Sequence, residues 1–284
     1  MGVESVNLDE WVLSGGGAQG DSYFNKSDDS VMLKLFAPHL PLSLVEGEFS
    51  VSSDIFDAGL PCIKPVSVVT DGTRYGMIVP RLKNKISFCT AVGRNPECLD
   101  DMAGRLSRIG RLLHTTPADR TKFRSALSMY RDFLNASKSD DKAFLGACDG
   151  ILAEMEHNDS SCTFLHGDFH YGNMITDGVR DYMIDLGAFA YGNPLFDLSL
   201  FYIVTHLLPD GFTGHIYHIT EKQALDFWDA FKKHYFKYCD CIPSDDVLEK
   251  QFAPYMLLRT LSFERDMGID GYLLNYRKRF LSAL

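Results

Sequence analysis

The chain has 284 residues, 45% hydrophobic and 23% charged, enough for one large domain or two lobes, and this ordinary globular composition excludes a disordered or collagen-like chain. Twenty-eight Lys and Arg against 38 Asp and Glu leave a net charge of −10, which argues against a nucleic-acid partner and is compatible with a cationic ligand. The most apolar stretch, Ser199 to Leu208, is too short to span a bilayer, the start carries Glu4, Asp9 and Glu10 with no apolar leader, and seven scattered cysteines are expected as free thiols of a cytoplasmic protein.

The first eighty residues read as strands and tight turns. Trp11 to Leu13 precede Gly15-Gly16-Gly17, and Tyr23-Phe24 lead through the polar cluster 26–30 into Val31-Met32-Leu33-Lys34-Leu35-Phe36. A helix is expected over Glu46 to Ala58, stopped by Gly59 and Pro61. A second hairpin is signalled by Val66 to Thr70 and Tyr75 to Val79 around Asp71-Gly72, because glycine accepts a positive φ. Beyond Pro80-Arg81-Leu82 the pattern turns helical. Met102, Leu106, Ile109 and Leu113 form one apolar stripe, and Phe144, Cys148, Ile151 and Met155 a second. Phe227, Phe231 and Tyr235 repeat the spacing near the C-terminus. A third hairpin, Met174 to Thr176 and Tyr182 to Ile184 around Asp177-Gly178, interrupts this half. The change of texture divides the chain into 1–82 and 83–284.

Chemistry concentrates in His166-Gly167-Asp168-Phe169-His170-Tyr171-Gly172-Asn173, followed by Ile184-Asp185-Leu186-Gly187. Phosphoryl transfer needs one carboxylate to orient and deprotonate a hydroxyl, and hard oxygen ligands to hold magnesium against nucleotide phosphates. HGDxxxxN with a following IDxG resembles the signature of the aminoglycoside phosphotransferase and choline kinase group, and Tyr191 to Leu198 resembles its GDPxxDL element. The resemblance implies an α+β, two-lobed protein-kinase-like fold, with a small, mainly β N-lobe and a larger, mainly α C-lobe. It implies Asp168 as catalytic base and His166 as a brace of the loop. Asn173 and Asp185 would be ligands of Mg2+, and Asp197 would tie a helix start to the loop. The implied activity moves the γ-phosphate of ATP or GTP to a hydroxyl of a small molecule: an aminoglycoside, a sugar or an amino alcohol.

The N-terminal half supplies matching parts. Gly15, Gly17 and Gly20 form a G-x-G-x-x-G followed by strand-like residues, so a glycine loop between strands is expected rather than a dinucleotide-binding turn, which needs a helix there. Ser22 could add a hydroxyl donor to phosphate. Lys34 stands alone in an apolar strand and needs solvent or a partner. By the resemblance it contacts phosphates and is held by Glu48, preferred over Glu46 for its spacing to Gly59. Met77 to Leu82 reads as a hinge whose backbone at Val79 and Arg81 faces the purine. Two other readings stand beside this one: an inactive nucleotide-binding module of the same fold, and a metal-dependent hydrolase using His166, Asp168 and His170. The aromatic C-terminal third reads first as core. Asp210, Glu264, Asp266 and Asp270 are candidates to face amines of the acceptor.

Overall fold

The computed structural model describes residues 2–17 and 20–284. In chain order the first elements are β1 (Glu4–Ser5), β2 (Trp11–Gly17), β3 (Gly20–Asn25), β4 (Val31–Phe36), α1 (Leu42–Asp57), β5 (Ser67–Thr70), β6 (Tyr75–Pro80) and β7 (Ile86–Ser87). There follow α2 (Phe88–Arg94), α3 (Leu99–Thr115), α4 (Ala126–Ala136), α5 (Lys142–Asn158), β8 (Thr163–Leu165), β9 (Met174–Thr176), β10 (Asp181–Met183) and β11 (Ala190–Gly192). The chain ends with α6 (Leu195–His206), α7 (Phe212–Tyr217), α8 (Glu221–Tyr235), α9 (Asp245–Met267) and α10 (Gly271–Leu281). This is a mixed α/β chain with a β-sheet N-terminal region and a helical C-terminal part. One compact unit is the chain up to Ile86 together with Met174–Gly187; the other is Ser87–Asn173 with Ala188–Leu284.

The first unit is built on a sheet of order β1-β5-β6-β4-β3-β2, antiparallel except where β1 joins β5. Alternation along β4 sets its two faces. Leu33 and Leu35 pack with Trp11 and Val69 on one side. Phe36 turns to the other, where Val45 and Phe49 of α1 cover it together with Val68 and Met77. Each such side chain, fully buried, contributes roughly 1.5–3 kcal/mol. Helix α1 begins at Leu42, four residues before the expected start. Pro41 is its N-cap, extended at ψ 158°, and the packing of Val45 recruits the first turn. Gly59, at φ +80°, ends it as expected. The hairpin β9–β10 pairs Met174 with Met183 and turns at Gly178, φ +91°.

The second unit is helical. Phe196 to Thr205 of α6 are buried without a break, so the most apolar stretch of the sequence is a core helix. Phe201 meets Phe227, Trp228 and Phe231 of α8 edge-on at 6.1, 5.6 and 5.0 Å, and the aromatic C-terminal stripe is core as read. The α3 stripe Met102, Leu106, Ile109 and Leu113 is buried throughout. In α5 the buried face is Phe144, Cys148 and Leu152, not Ile151 and Met155, because the contacts there advance by four residues rather than three. All seven cysteines are free. Among the described residues no helix is long and apolar enough to cross a membrane.

Candidate active site

Strand β8 delivers the chain to the motif, and a buried carboxylate fixes the turn beyond the strand. Asp197, in the first turn of α6, is fully buried and accepts from the backbone N–H groups of His166 (2.8 Å) and Gly167 (2.9 Å). His114 of α3 adds a third contact, Nε2 to Asp197 Oδ2 at 3.1 Å, and its Nδ1 meets the Tyr235 hydroxyl at 2.7 Å. Burial pushes the Asp197 carboxyl up, but the His114 hydrogen bond and the charges of His114 and His166 outweigh it and hold the group below its ordinary value. Gly167 sits at φ +78°, and a Cβ there would lie 2.0 Å from the Ala188 carbonyl oxygen, so only glycine fits. Phe169 is buried against His114, Phe201 and Phe231 and anchors the loop to the core.

Between these anchors Asp168 faces outward, its side chain 46% exposed. Its Oδ2 accepts from Asn173 Nδ2 at 2.7 Å, and the same Nδ2 reaches the Asp168 carbonyl at 2.9 Å. The Asp168 N–H donates to His166 Nδ1 at 3.3 Å, and Asp168 Oδ1 lies 3.6 Å from His170 Nε2. Crowding pushes the carboxyl up, but the His170 and His166 imidazoles and the Arg259 guanidinium prevail and keep it well below the usual carboxylate range. Asp168 is ionised at neutral pH. With its nitrogen committed to Asp168, the Asn173 amide presents its oxygen as the end that can meet a cation. Among the described residues no group of three or more His, Cys, Asp and Glu is placed to hold a metal ion. His166, Asp168 and His170 are thus not grouped as a three-donor centre: the His166 ring is buried, and His170 Nδ1 is taken by the Gly172 N–H at 3.0 Å.

In the first unit, Lys34 points to the α1 side of the sheet. Its Nζ donates to Glu48 Oε1 at 2.8 Å, both side chains half-buried, and lies 4.5 Å from the Phe36 ring centroid. Glu46 takes no part in that pair. Ser22 lies opposite Lys34 across β3–β4. Gly15 and Gly17 are not loop residues: they pair with Ser22 and Gly20 within the β2–β3 ladder, and Ala18 and Gln19 lie outside the described residues. A Cβ on Gly20, φ +147°, would lie 2.0 Å from the Leu35 carbonyl oxygen, so close approach of β4 dictates that glycine. Around a Gly15 Cβ there is open space. Val79 lies opposite Met32 in the ladder, and Arg81 gives its N–H to the Ser30 carbonyl at 2.8 Å. That bond extends the sheet and commits the donor expected to face a purine. Asp185 leaves β10 exposed and left-handed, φ +57°, a conformation uncommon for any residue but glycine.

Three of the four carboxylates considered for acceptor amines have other work. Glu264 is buried against Arg277, the Ser137 hydroxyl and the Lys138 N–H. Asp266 pairs with Arg265, and Asp270 caps α10 through the Leu273 N–H. Sequence reasoning misses His114 and Arg259. The only signal for His114 is its place at the end of the α3 stripe; Arg259 has none beyond a lone cation in an apolar run.

The model of the phosphotransferase enzyme family APH matches residues 11–233. No curated protein matches the chain in sequence. Among solved structures, an amicoumacin kinase in complex with AMP-PNP, Ca2+ and Ami superposes with a TM-score of 0.60 at 14% identity, covering 99% of this chain and 89% of that one. An aminoglycoside-3'-phosphotransferase of type VIII gives 0.59 at 19% identity, with 89% and 93% covered. A choline/ethanolamine kinase family protein from Mesorhizobium loti gives 0.58 at 16% identity, with 96% and 87% covered. The chain belongs to the phosphotransferase enzyme family and has the kinase-like fold of these neighbours.

Proposed function

We propose that the protein transfers the γ-phosphate of ATP or GTP directly to a hydroxyl of a small molecule, an aminoglycoside, sugar or amino alcohol. The observation that carries this is the presentation of Asp168: an ionised, half-exposed carboxylate on a turn whose backbone is fixed by Asp197 and whose oxygen is oriented by Asn173. Such a carboxylate can align an incoming hydroxyl and receive its proton as the phosphoryl group departs from the nucleotide. In this reading it orients the hydroxyl first and takes the proton late. Residues 1–82 handle the nucleotide, with Lys34, steadied by Glu48, set against phosphate oxygens as a point charge. Gly15, Gly17, Gly20, Ser22, Val79 and Arg81 would line the nucleotide side. Residues 83–284 supply the catalytic loop and the acceptor site.

Asn173 and Asp185 offer hard oxygen donors, an amide and a carboxylate, of the kind magnesium prefers. Bound there, the ion would neutralise phosphate charge; the protein residues hold and orient the reactants. The AMP-PNP complex of the amicoumacin kinase supports a nucleotide donor. The net charge of −10 suits a cationic acceptor. The test is transfer of labelled γ-phosphate from ATP and GTP, in parallel, onto aminoglycosides, choline-like amines and free sugars. A product absent with Asp168→Asn supports the reading. A folded enzyme that labels none of these acceptors, or labels them equally without Asp168, refutes it.

A further inference from the structure

We infer that Arg259 of α9 is a positioning residue that clamps the peptide group preceding Asp168; the inference rests on the phosphotransferase reading of Asp168. The peptide between Gly167 and Asp168 is held at both ends. Its carbonyl accepts from Arg259 Nη2 at 2.8 Å, and its N–H donates to His166 Nδ1 at 3.3 Å. The residue before it is left-handed, and the two N–H groups upstream are bound to Asp197. A glycine peptide in such a turn is free to rotate unless its carbonyl is tied, and rotation would swing the Asp168 side chain. Arg259 supplies that tie.

Stability alone does not account for this arginine. It is 7% exposed, makes no ion pair among the described residues, and its Nε is buried without a hydrogen-bond partner. Arg277, more deeply buried and also with one unpartnered nitrogen, differs in being paired with Glu264. An unpaired buried cation is costly, and an apolar side chain of similar volume is often as stable or more so. Besides the Tyr130 ring, 5.9 Å from its Cζ, the Arg259 guanidinium has one hydrogen-bond acceptor among the described residues, the carbonyl next to Asp168. The residue lies beyond the segment that the family model matches, 11–233, so the clamp is supplied from outside the motif-bearing region.

The experiment compares Arg259→Met and Arg259→Lys with wild type in turnover, thermal melting and hydrogen exchange of the Asp168 amide. Arg259→Met should lower kcat about ten- to a hundredfold, since misplacement of a catalytic group by about 1 Å costs roughly 10². The nucleotide KM should stay within about twofold and the melting temperature within a few degrees, while the Asp168 amide exchanges faster. Arg259→Lys, which can still donate to the carbonyl, should recover most of the turnover. Wild-type kcat in Arg259→Met overturns the inference. So does a kcat loss that follows a falling melting temperature without rescue by lysine, the mark of a purely structural residue. If Arg259→Met does not fold, Arg259→Gln, too short to reach the carbonyl, takes its place with the same expectation. If wild type phosphorylates no acceptor, the activity reading fails separately; the exchange arm then decides, with unchanged protection of the Asp168 amide overturning the clamp.

Discussion

Asp197→Asn tests the anchor beneath the turn that carries Asp168. The carboxylate accepts from the His166 N–H at 2.8 Å, the Gly167 N–H at 2.9 Å and His114 at 3.1 Å. An asparagine keeps one acceptor oxygen, so its NH2 must face at least one of these donors. The less costly orientation turns NH2 toward Gly167 and leaves that buried N–H unsatisfied, at about 1–3 kcal/mol. The two remaining bonds fall from charge-assisted to neutral strength, losing roughly 1 kcal/mol each. Relief of the buried charge returns about 1 kcal/mol, leaving a net loss of roughly 2–4 kcal/mol. For a helical unit of this size that is a melting-temperature drop of roughly 5–15 °C. The sign with pH comes from the depressed folded-state value. The contribution is present above the unfolded carboxyl pKa, about 3.9, and is lost as pH falls through the lower folded value. The gap between wild type and variant should therefore be level from about pH 6 to 8 and close below about pH 4. Scanning calorimetry across that range measures it. A gap under about 1 °C at neutral pH, or one that widens in acid, refutes the reasoning.

Three further substitutions separate the roles assigned to the proposed site. Asp168→Asn should lower kcat by roughly two to four orders of magnitude, the span for losing a general base, with nucleotide affinity nearly unchanged in a binding titration; near-wild-type turnover would make the motif structural. Lys34→Ala should weaken nucleotide binding about tenfold or more while acceptor binding holds, if the lysine held by Glu48 serves phosphate as proposed; an unaltered nucleotide titration reduces Lys34 to a surface lysine. Asp185→Gly should melt at or above the wild-type temperature, since glycine takes φ +57° without strain, yet lose magnesium-dependent turnover. A fully active Asp185→Gly removes Asp185 from the metal assignment.

The legible part of the sequence is the part that chemistry forces into local spacing. Asp168 and Asn173 must meet within one loop, and five residues bring the amide to 2.7 Å from the carboxylate. Turn pairs such as Asp177-Gly178 are legible because a positive φ needs glycine. Gly20 answers to a second rule, since a neighbouring strand leaves no room for a Cβ there. Helix α1 reads four residues short, since the apolar Leu42 to Val45 run carries no side-chain cap and joins the helix only by packing on the sheet.

The illegible part is the frame around the loop, and the reason is distance along the chain. His114 reaches Asp197 across 83 residues, and Arg259 reaches Gly167 across 92. Nothing local to either residue marks it, because a helix register chosen by core packing places each one. Glu264 makes the converse case: among exposed-looking helix carboxylates it reads as an acceptor ligand, but the register of α9 turns it inward onto Arg277. The same helix therefore aims one charge at a partner that neutralises it and the other at a backbone carbonyl beside Asp168. The difference between Arg277 and Arg259 lies in their partners, not in their sequence context, and this is why Asp168 can be read from a motif while the arginine bonded to the peptide before it must be read from the fold.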